Sequence, residues 1–127
     1  MKIERNSALR LVCVTAPEKE AEHLARTLLN DRLIACANLV PSIVSYYWWK
    51  NKIERGHETL LVMKAPKRNM KKLLARMKKL HSYSVPEFIA LPVRESNPDY
   101  ENWALREARQ KRSGKKGKQG EQKRKKK

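Results

Sequence analysis

The spacing of apolar residues in the first third of the chain alternates between strand and helix periods. Residues 9–14 form a short apolar run, which is typical of a central strand buried on both faces. Thr15 and Glu18 have the separation of a capping box, and residues 21–29 carry apolar side chains at helical spacing. Residues 34–43 return to strand character, and Pro41 within them predicts a bulge or an edge position.

A hairpin is predicted next in the sequence. Residues 45–49 and 52–64 are strand-like and flank Lys50 and Asn51. Asn tolerates the left-handed backbone conformation that a tight hairpin turn requires, so the turn is predicted at these two residues.

The second half repeats the helix and strand periods. Asn69 is a candidate N-cap for a helix over residues 70–80, in which a Met and Leu stripe is flanked by Lys and Arg. Pro86 introduces a predicted strand over residues 87–93. The pair Asn97-Pro98 is typical of a helix start.

The predicted order of elements in residues 1–110 is β-α-β-β-α-β with one further helix. It is the order of an α+β fold, the ferredoxin-like split βαβ sandwich, in which both helices cover one face of an antiparallel sheet. The other face has no helix assigned to it. It must therefore be covered by the last helix or by another subunit.

Several short segments of the chain resemble the CutA divalent-cation-tolerance family. They are LIACANL at 33–39, YWW at 47–49, KIE at 52–54 and LHSYSVPE at 80–87. The resemblance runs from about residue 9 to residue 103. It implies a ferredoxin-like homotrimer, in which the long hairpin reaches a neighbouring subunit. It also implies a part in tolerance of, or response to, divalent metal ions such as copper, by metal or small-ligand binding without established catalysis.

Four consecutive aromatic residues in the hairpin favour the trimer on physical grounds. Side chains alternate along a strand, so Tyr46 and Trp48 are expected on one side and Tyr47 and Trp49 on the other. Each ring can bury about 150 to 250 Å², and together they exceed the apolar patch that a monomer normally exposes. The alternative is that the terminal helix alone covers these rings.

The net charge of +17 is concentrated at the end of the chain. Residues 111–127 hold eight Lys, two Arg and one Glu with no aliphatic or aromatic side chain, which predicts a disordered Lys-rich tail. The tail supports an alternative function, a polyanion or nucleic-acid binding module on a trimeric scaffold. A bipartite nuclear-localisation signal, if the source is a eukaryote, and a solubilising extension fit the same composition. The candidate polyanion contacts are Lys123, Arg124, Lys125, Lys126 and Lys127.

The order β-α-β-β-α-β is also that of the RNA-recognition motif. Residues 9–14 and 59–64 are the first and third predicted strands, and they carry none of the stacking aromatics that this motif uses. The sheet is therefore not expected to read bases.

Catalytic signatures are missing from the sequence. GxSxG, Walker, GxGxxG and HExxH motifs do not occur. Ser82 and Ser84 lie near His81, but no acidic residue is placed to orient the histidine. We expect the protein not to be an enzyme. A small-molecule enzyme acting at the subunit cleft is the third hypothesis.

The family resemblance supplies candidate metal ligands. Bacterial members linked to copper tolerance have a Cys before the Thr and a His pair before the Tyr, where this chain has Val14, and Leu80 with His81. Cys13 lies one residue earlier than that Cys, which in a strand turns its sulfur to the opposite face. His81 and Cys13 are thus the candidate ligands for copper or another divalent cation. One imidazole alone binds such an ion weakly.

The resemblance also implies a cleft of aromatic and charged residues near the subunit junctions. Such a cleft suits a small anionic ligand, and an ion-pair network at the interface is the alternative. The candidate cleft or interface residues are Trp48, Trp49, Lys52, Glu58, Lys64, Tyr83, Pro86 and Glu87.

Cysteine usage and hydropathy indicate the compartment. Cys13 and Cys36 lie among Leu, Val and Ala and form no CxxC pair, so both are expected to be core thiols in a reducing compartment. The sequence shows neither a signal peptide nor the roughly 20 apolar residues that a membrane span needs. The expected location is the cytoplasm, or the nucleus if the source is a eukaryote.

Overall fold

The computed structural model describes residues 4–110. The predicted Lys-rich tail, including the run from Lys123 to Lys127, lies outside the described residues. The elements are β1 (Glu4–Arg5), β2 (Leu9–Ala16), α1 (Glu18–Asn30), β3 (Cys36–Trp49), β4 (Lys52–Pro66), a 3₁₀ turn (Lys67–Asn69), α2 (Met70–Leu80), β5 (Ile89–Pro92), β6 (Glu95–Ser96) and α3 (Pro98–Glu107). Among these helices, none has the length and apolar character that crossing a membrane requires.

The main sheet has four antiparallel strands in the order β3-β4-β2-β5. This order and the helices between the strands confirm the predicted ferredoxin-like α+β fold. A second sheet of two short strands, β1 and β6, pairs Glu4 with Ser96 and was not predicted. The strand predicted over 87–93 is shorter, because only Ile89–Pro92 pairs with β2.

The long hairpin of β3 and β4 follows the prediction closely. Lys50 and Asn51 form its turn, with φ of 50° and 64°, and Trp49 pairs with Lys52 across it. Two successive left-handed residues give the turn a twist that matches the flanking strands. The register shifts between Val40 and Ile43, which confirms the bulge predicted at Pro41.

One face of the sheet packs against α1 and α2 and holds the main hydrophobic core. The prediction that residues 9–14 form a strand buried on both faces is wrong. Val12 and Val14 are fully buried, whereas Leu11 and Cys13 on the opposite face of β2 are only half-buried. The core is built from Val12, Val14, Ala16, Ala21, Leu24, Ala25, Leu28, Leu33, Ile34, Leu61, Met63, Ala65, Leu73 and Met77.

The three longer helices begin in different ways. The predicted capping box is wrong, because Thr15 belongs to β2, and α1 begins after Pro17 without a side-chain cap. Helix α3 begins at the predicted Asn97-Pro98 pair, and Asn97 caps it, since its Oδ1 accepts a hydrogen bond of 3.0 Å from the backbone N–H of Asp99. Asn69 precedes α2, but its Nδ2 donates elsewhere, to the carbonyl oxygens of Leu33 and Ala108.

Helix α3 packs against the end of the sheet where β2 begins and β4 ends. Glu101 anchors it, accepting hydrogen bonds from Ser7, from Ser96 Oγ at 2.7 Å and from the backbone N–H of Ala8 at 3.3 Å. Arg68 holds its other end through the carbonyl oxygens of Leu105 and Ala108. The helix is therefore held away from the hairpin tip.

Candidate functional site

The site begins with a buried carboxylate in the middle of β4. Glu58 is only 7% exposed, although it lies on a strand whose preceding residues face solvent. The hydroxyl of Tyr83 donates a 2.7 Å hydrogen bond to Glu58 Oε2. Tyr83 lies in the segment that follows α2, so the bond joins this segment to the sheet. A buried carboxylate is retained in a fold when such a donor satisfies it.

His81 lies beside this pair and uses both of its ring nitrogens. Nε2 lies 2.8 Å from the carbonyl oxygen of Thr15, and Nδ1 accepts a 3.1 Å hydrogen bond from the backbone N–H of Tyr83. A carbonyl oxygen only accepts, so Nε2 carries the proton in this arrangement. The His81 and Tyr83 rings also lie 4.7 Å apart between centroids. Neither imidazole nitrogen therefore offers a free lone pair to a metal ion.

Negative charge accumulates around Glu58. Burial raises the pKa of Tyr83, and the hydrogen bond to Glu58 raises it further, so the phenol stays neutral and donates. Burial also raises the pKa of Glu87, and the negative charge of Glu58 adds to this effect. Pro86, half-buried, lies next to Glu87 in the segment before β5. Repulsion between the two carboxylates therefore favours the protonated form of Glu87.

The hairpin tip carries the aromatic part of the predicted cleft. Exposure alternates along the strand, at 68% for Tyr46 and 70% for Trp48 against 47% for both Tyr47 and Trp49. This confirms the predicted alternation of faces. The rings are this exposed with α3 in place, so the hypothesis that the terminal helix alone covers them is wrong.

The predicted cleft residues do not converge within one chain. Lys52 and Glu58 are six residues apart on β4, about 20 Å at the rise of a strand. Lys64 lies six residues further on, at the opposite end of β4, where its Nζ donates to Asn38 Oδ1 and lies 3.8 Å from Cys36 Sγ. The sequence did not single out Asn38, although its spacing of two from Cys36 places both on one face. The set therefore divides into a tip, a middle cluster and a far end.

The sheet face opposite the helices is open and largely apolar. Cross-strand neighbours share a face, and on this face Leu11 pairs with Leu91 and Cys13 pairs with both Ile89 and Val62. Ile89 is 50% exposed and Leu91 45% exposed. Cys13 and Cys36 are free and half-buried, which corrects the expectation of two core thiols.

The two candidate metal ligands are not brought together. Cys13 lies on the open face of the sheet, whereas His81 follows α2, which packs on the other face. Within residues 4–110, no group of three or more His, Cys, Asp or Glu side chains could hold a metal ion.

Comparison with known proteins gives consistent matches. Residues 10–107 match the family described as CutA1 divalent ion tolerance protein. The divalent-cation tolerance protein CutA of Thermus thermophilus is 42% identical over 94 residues, which cover 73% of this chain and 91% of that protein. Protein CutA of Mus musculus is 44% identical over 91 residues, but these cover 71% of this chain and only 51% of the mouse protein.

The fold of this chain is also similar to that of a solved CutA1 structure. The crystal structure of CutA1 from Oryza sativa superposes with a TM-score of 0.79 at 35% identity, over 82% of this chain and 96% of that one. The family match over residues 10–107 includes Glu58, Tyr83 and His81. This chain therefore belongs to the CutA1 divalent ion tolerance protein family.

Proposed function

We propose that this protein acts in divalent-cation tolerance as a trimeric binding protein rather than as an enzyme. The family and the printed names of its relatives support the biological role. The proposed trimer rests on one observation, which is that the four aromatic rings of the hairpin and the apolar sheet face opposite the helices are both exposed in the single chain. Copies of the same chain are the simplest partners for apolar surfaces of this size.

Self-association also accounts for the division of the cleft residues. Trp48, Trp49 and Lys52 project from the tip of a hairpin about 20 Å away from Glu58 of the same chain. A neighbouring copy supplies the missing part if its hairpin tip reaches the cluster of Glu58, Tyr83 and Glu87. In the proposed assembly the cleft forms at the junction of two subunits.

The two carboxylates of the middle cluster favour a cation over a small anion as ligand, and because they are too few to hold a metal ion within one described chain, the proposed assembly has to supply the remaining ligands. Glu58 and Glu87 contribute carboxylate oxygens, and the repulsion between them falls when a cation neutralises one of them. Carboxylates suit hard divalent ions, whereas copper prefers imidazole and sulfur donors. Since His81 is fully engaged in hydrogen bonds and Cys13 lies on the other side of the sheet, copper is the less suitable ion.

A binding role is also consistent with the protonation state of the Tyr83 phenol. Its pKa is raised rather than lowered, so it serves as a hydrogen-bond donor and not as a base or nucleophile. We further propose a reducing compartment such as the cytoplasm, where Cys13 and Cys36 remain free thiols.

Metal titration of the full-length protein tests this proposal. Calorimetry with Mn²⁺ and with Cu²⁺ compares the wild type with Glu58→Gln, Glu87→Gln and the exposed control Glu95→Gln. We expect Mn²⁺ affinity to fall at least tenfold in the first two variants and to be unchanged in the control. Absence of Mn²⁺ binding by the wild type, or equal affinity in all four proteins, would overturn the assignment of the cation to this cluster.

A further inference from the structure

A groove lies between helix α2 and the turn that follows α1. Its volume is about 340 Å³, at the small end of the range found for ligand sites. It is lined by Asp31, Leu33, Lys72, Ala75, Arg76, Lys79 and Gln110. None of these residues belongs to the cluster of Glu58, Tyr83 and Glu87, so the groove is a separate feature of the molecule.

The turn that forms one wall of the groove is fixed by backbone hydrogen bonds. Arg32 has a φ of 60°, and its N–H donates to the carbonyl oxygen of Leu29 at 2.9 Å. The N–H of Leu33 donates to the carbonyl oxygen of Leu28 at 3.1 Å, which completes the Schellman arrangement that ends many helices. The carbonyl oxygen of Leu33 also accepts a 3.0 Å hydrogen bond from the buried amide of Asn69. This wall is therefore formed in the absence of a ligand.

Three basic side chains of α2 line the groove. Lys72, Arg76 and Lys79 are four and three residues apart, so they lie on one side of the helix along about 10 Å of its axis. Among the described residues, Asp31 supplies the one carboxylate of the lining, so the positive charges exceed the negative charges by two. A phosphate monoester carries a charge of about −1.5 to −2 at neutral pH, which matches this excess.

Neighbouring groups hold these basic side chains in place. Arg76 Nε donates a 2.7 Å hydrogen bond to Asp31 Oδ2 in a partly exposed ion pair. Within the described part of the chain, the two terminal nitrogens of Arg76 donate no hydrogen bond, so they remain available to a ligand. Lys72 donates at 3.1 Å to Gln110 Oε1, and Gln110 Nε2 donates at 3.0 Å to the carbonyl oxygen of Asp31. A planar guanidinium with two available N–H groups pairs well with two oxygens of a phosphate.

We propose that this groove binds a small organic phosphate monoester. The terminal nitrogens of Arg76 pair with two phosphate oxygens, and Lys72 and Lys79 contribute charge from either side along the helix. Leu33, which is buried, and Ala75 form an apolar floor for the organic part of the ligand. The limited volume of the groove suits a small molecule rather than a polymer.

The proposed phosphate site is independent of the proposed cation site and of self-association. Helix α2 packs on one face of the sheet, and the exposed apolar residues Ile89 and Leu91 lie on the opposite face. Covering the open face with another copy of the chain leaves the groove accessible. The failure of Mn²⁺ to bind near Glu58 would therefore not affect the groove.

Calorimetric titration of the full-length protein with phenyl phosphate tests the proposal. The first variant, Lys72→Gln with Lys79→Gln, removes two charges from the groove. The matched control, Lys71→Gln with Lys78→Gln, removes two charges from adjacent exposed positions of the same helix that do not line the groove. The two variants have the same net charge, so a general effect of the basic helix would change them equally. A third variant, Arg76→Lys, keeps the charge and removes the planar pair of donors.

We expect the wild type to bind phenyl phosphate more tightly than inorganic phosphate, which lacks a ring for the apolar floor. It should also bind phenyl phosphate more tightly than benzoate, which carries a single charge. The groove variant and Arg76→Lys should each lose about tenfold or more in affinity for phenyl phosphate, as expected for a lost hydrogen bond between charged groups. The control should stay within about twofold of the wild type, because exposed charges outside the site contribute little.

Two kinds of result would contradict the proposal. Absence of phenyl phosphate binding by the wild type, or equal losses in the groove variant and its control, would overturn the site. Equal affinity for benzoate would overturn the choice of a phosphate group, and equal affinity for inorganic phosphate would overturn the choice of an organic ester.

Discussion

Tyr83 donates a 2.7 Å hydrogen bond from its hydroxyl to Oε2 of Glu58 and so joins the segment after α2 to the middle of β4. The bond satisfies a carboxylate that is 7% exposed. It also fixes the segment that leads through Pro86 and Glu87 to β5. The same interaction therefore shapes the candidate cation site and holds together two parts of the fold.

Replacing Tyr83 by Phe tests the structural part of this interaction. The change removes the donor and leaves the buried Glu58 without its partner, which costs about 1 to 3 kcal/mol of unfolding free energy. Tyr46→Phe is the matched control, because its hydroxyl accepts a hydrogen bond from Arg55 on the exposed hairpin. Urea unfolding at a fixed protein concentration measures both. Equal stability of the two variants would contradict the role given to Tyr83.

Asn69 is expected to be a second sensitive position. Its buried amide joins the carbonyl oxygen of Leu33 at 3.0 Å to that of Ala108 at 2.9 Å. Asn69→Ala leaves the Leu33 carbonyl without this donor and should cost about 1 to 3 kcal/mol. Asn97→Ala, which removes the cap of α3, should cost about 1 kcal/mol. A smaller loss for Asn69→Ala than for Asn97→Ala in urea unfolding would show that the bridge contributes little.

The stability of the fold at acid pH should depend on Glu101. Burial raises the pKa of this carboxyl, but hydrogen bonds from Ser7, Ser96 and the backbone N–H of Ala8 outweigh burial and lower it below its usual value of 4.5. A lowered folded pKa gives stability that is complete above about pH 4.5 and is lost as pH falls through the folded pKa.

Urea unfolding between about pH 7 and about pH 3 measures how much the Glu101 carboxylate contributes to the free energy of unfolding. We expect wild-type stability to fall below pH 4.5, the ordinary pKa of the group, and the fall to be smaller in Glu101→Gln. Ser96→Ala removes one of the three donors and should give an intermediate profile. Parallel pH profiles for the wild type and Glu101→Gln would exclude this carboxylate as a source of acid sensitivity.

The hairpin turn offers a stabilising change. Lys50 has a φ of 50°, and a left-handed conformation costs a residue with a long side chain about 1 kcal/mol relative to Gly. Lys50→Gly should therefore raise the unfolding free energy by up to about 1 kcal/mol, reduced by the entropy that Gly adds to the unfolded chain. Lys52→Gly, in β4 rather than the turn, should lower it. A loss of stability in both variants would contradict the turn geometry.

Local sequence patterns predicted the fold well where the conformation of a segment depends only on its own residues. The strand alternation of Tyr46 to Trp49, the bulge at Pro41 and the helix start at Asn97-Pro98 all depend on neighbours within a few residues. The capping box failed because Thr15 continues β2, whose pairing with β4 extends to Ala16. Tertiary pairing there outweighs the local helix signal.

The sequence predicted which residue types form the candidate site, but it did not predict which residues are hydrogen-bonded to one another there. Glu58 pairs with Tyr83 across 25 positions, and Asn69 joins carbonyls that lie 36 and 39 positions away. Hydrogen bonds at such separations depend on how the elements dock, and hydrophobic periodicity does not encode them. The engagement of both His81 nitrogens, which weakens the copper hypothesis, is a consequence of the same docking.

Sedimentation equilibrium of the full-length protein at micromolar concentration tests the central claim most directly. If copies of the chain cover the rings of Trp48 and Trp49 and the open face around Leu91, a single species of three chain masses is expected. Trp48→Lys, which places a charge in that contact, should shift the distribution toward the single chain. A wild-type protein that sediments as one chain throughout this range would contradict the account.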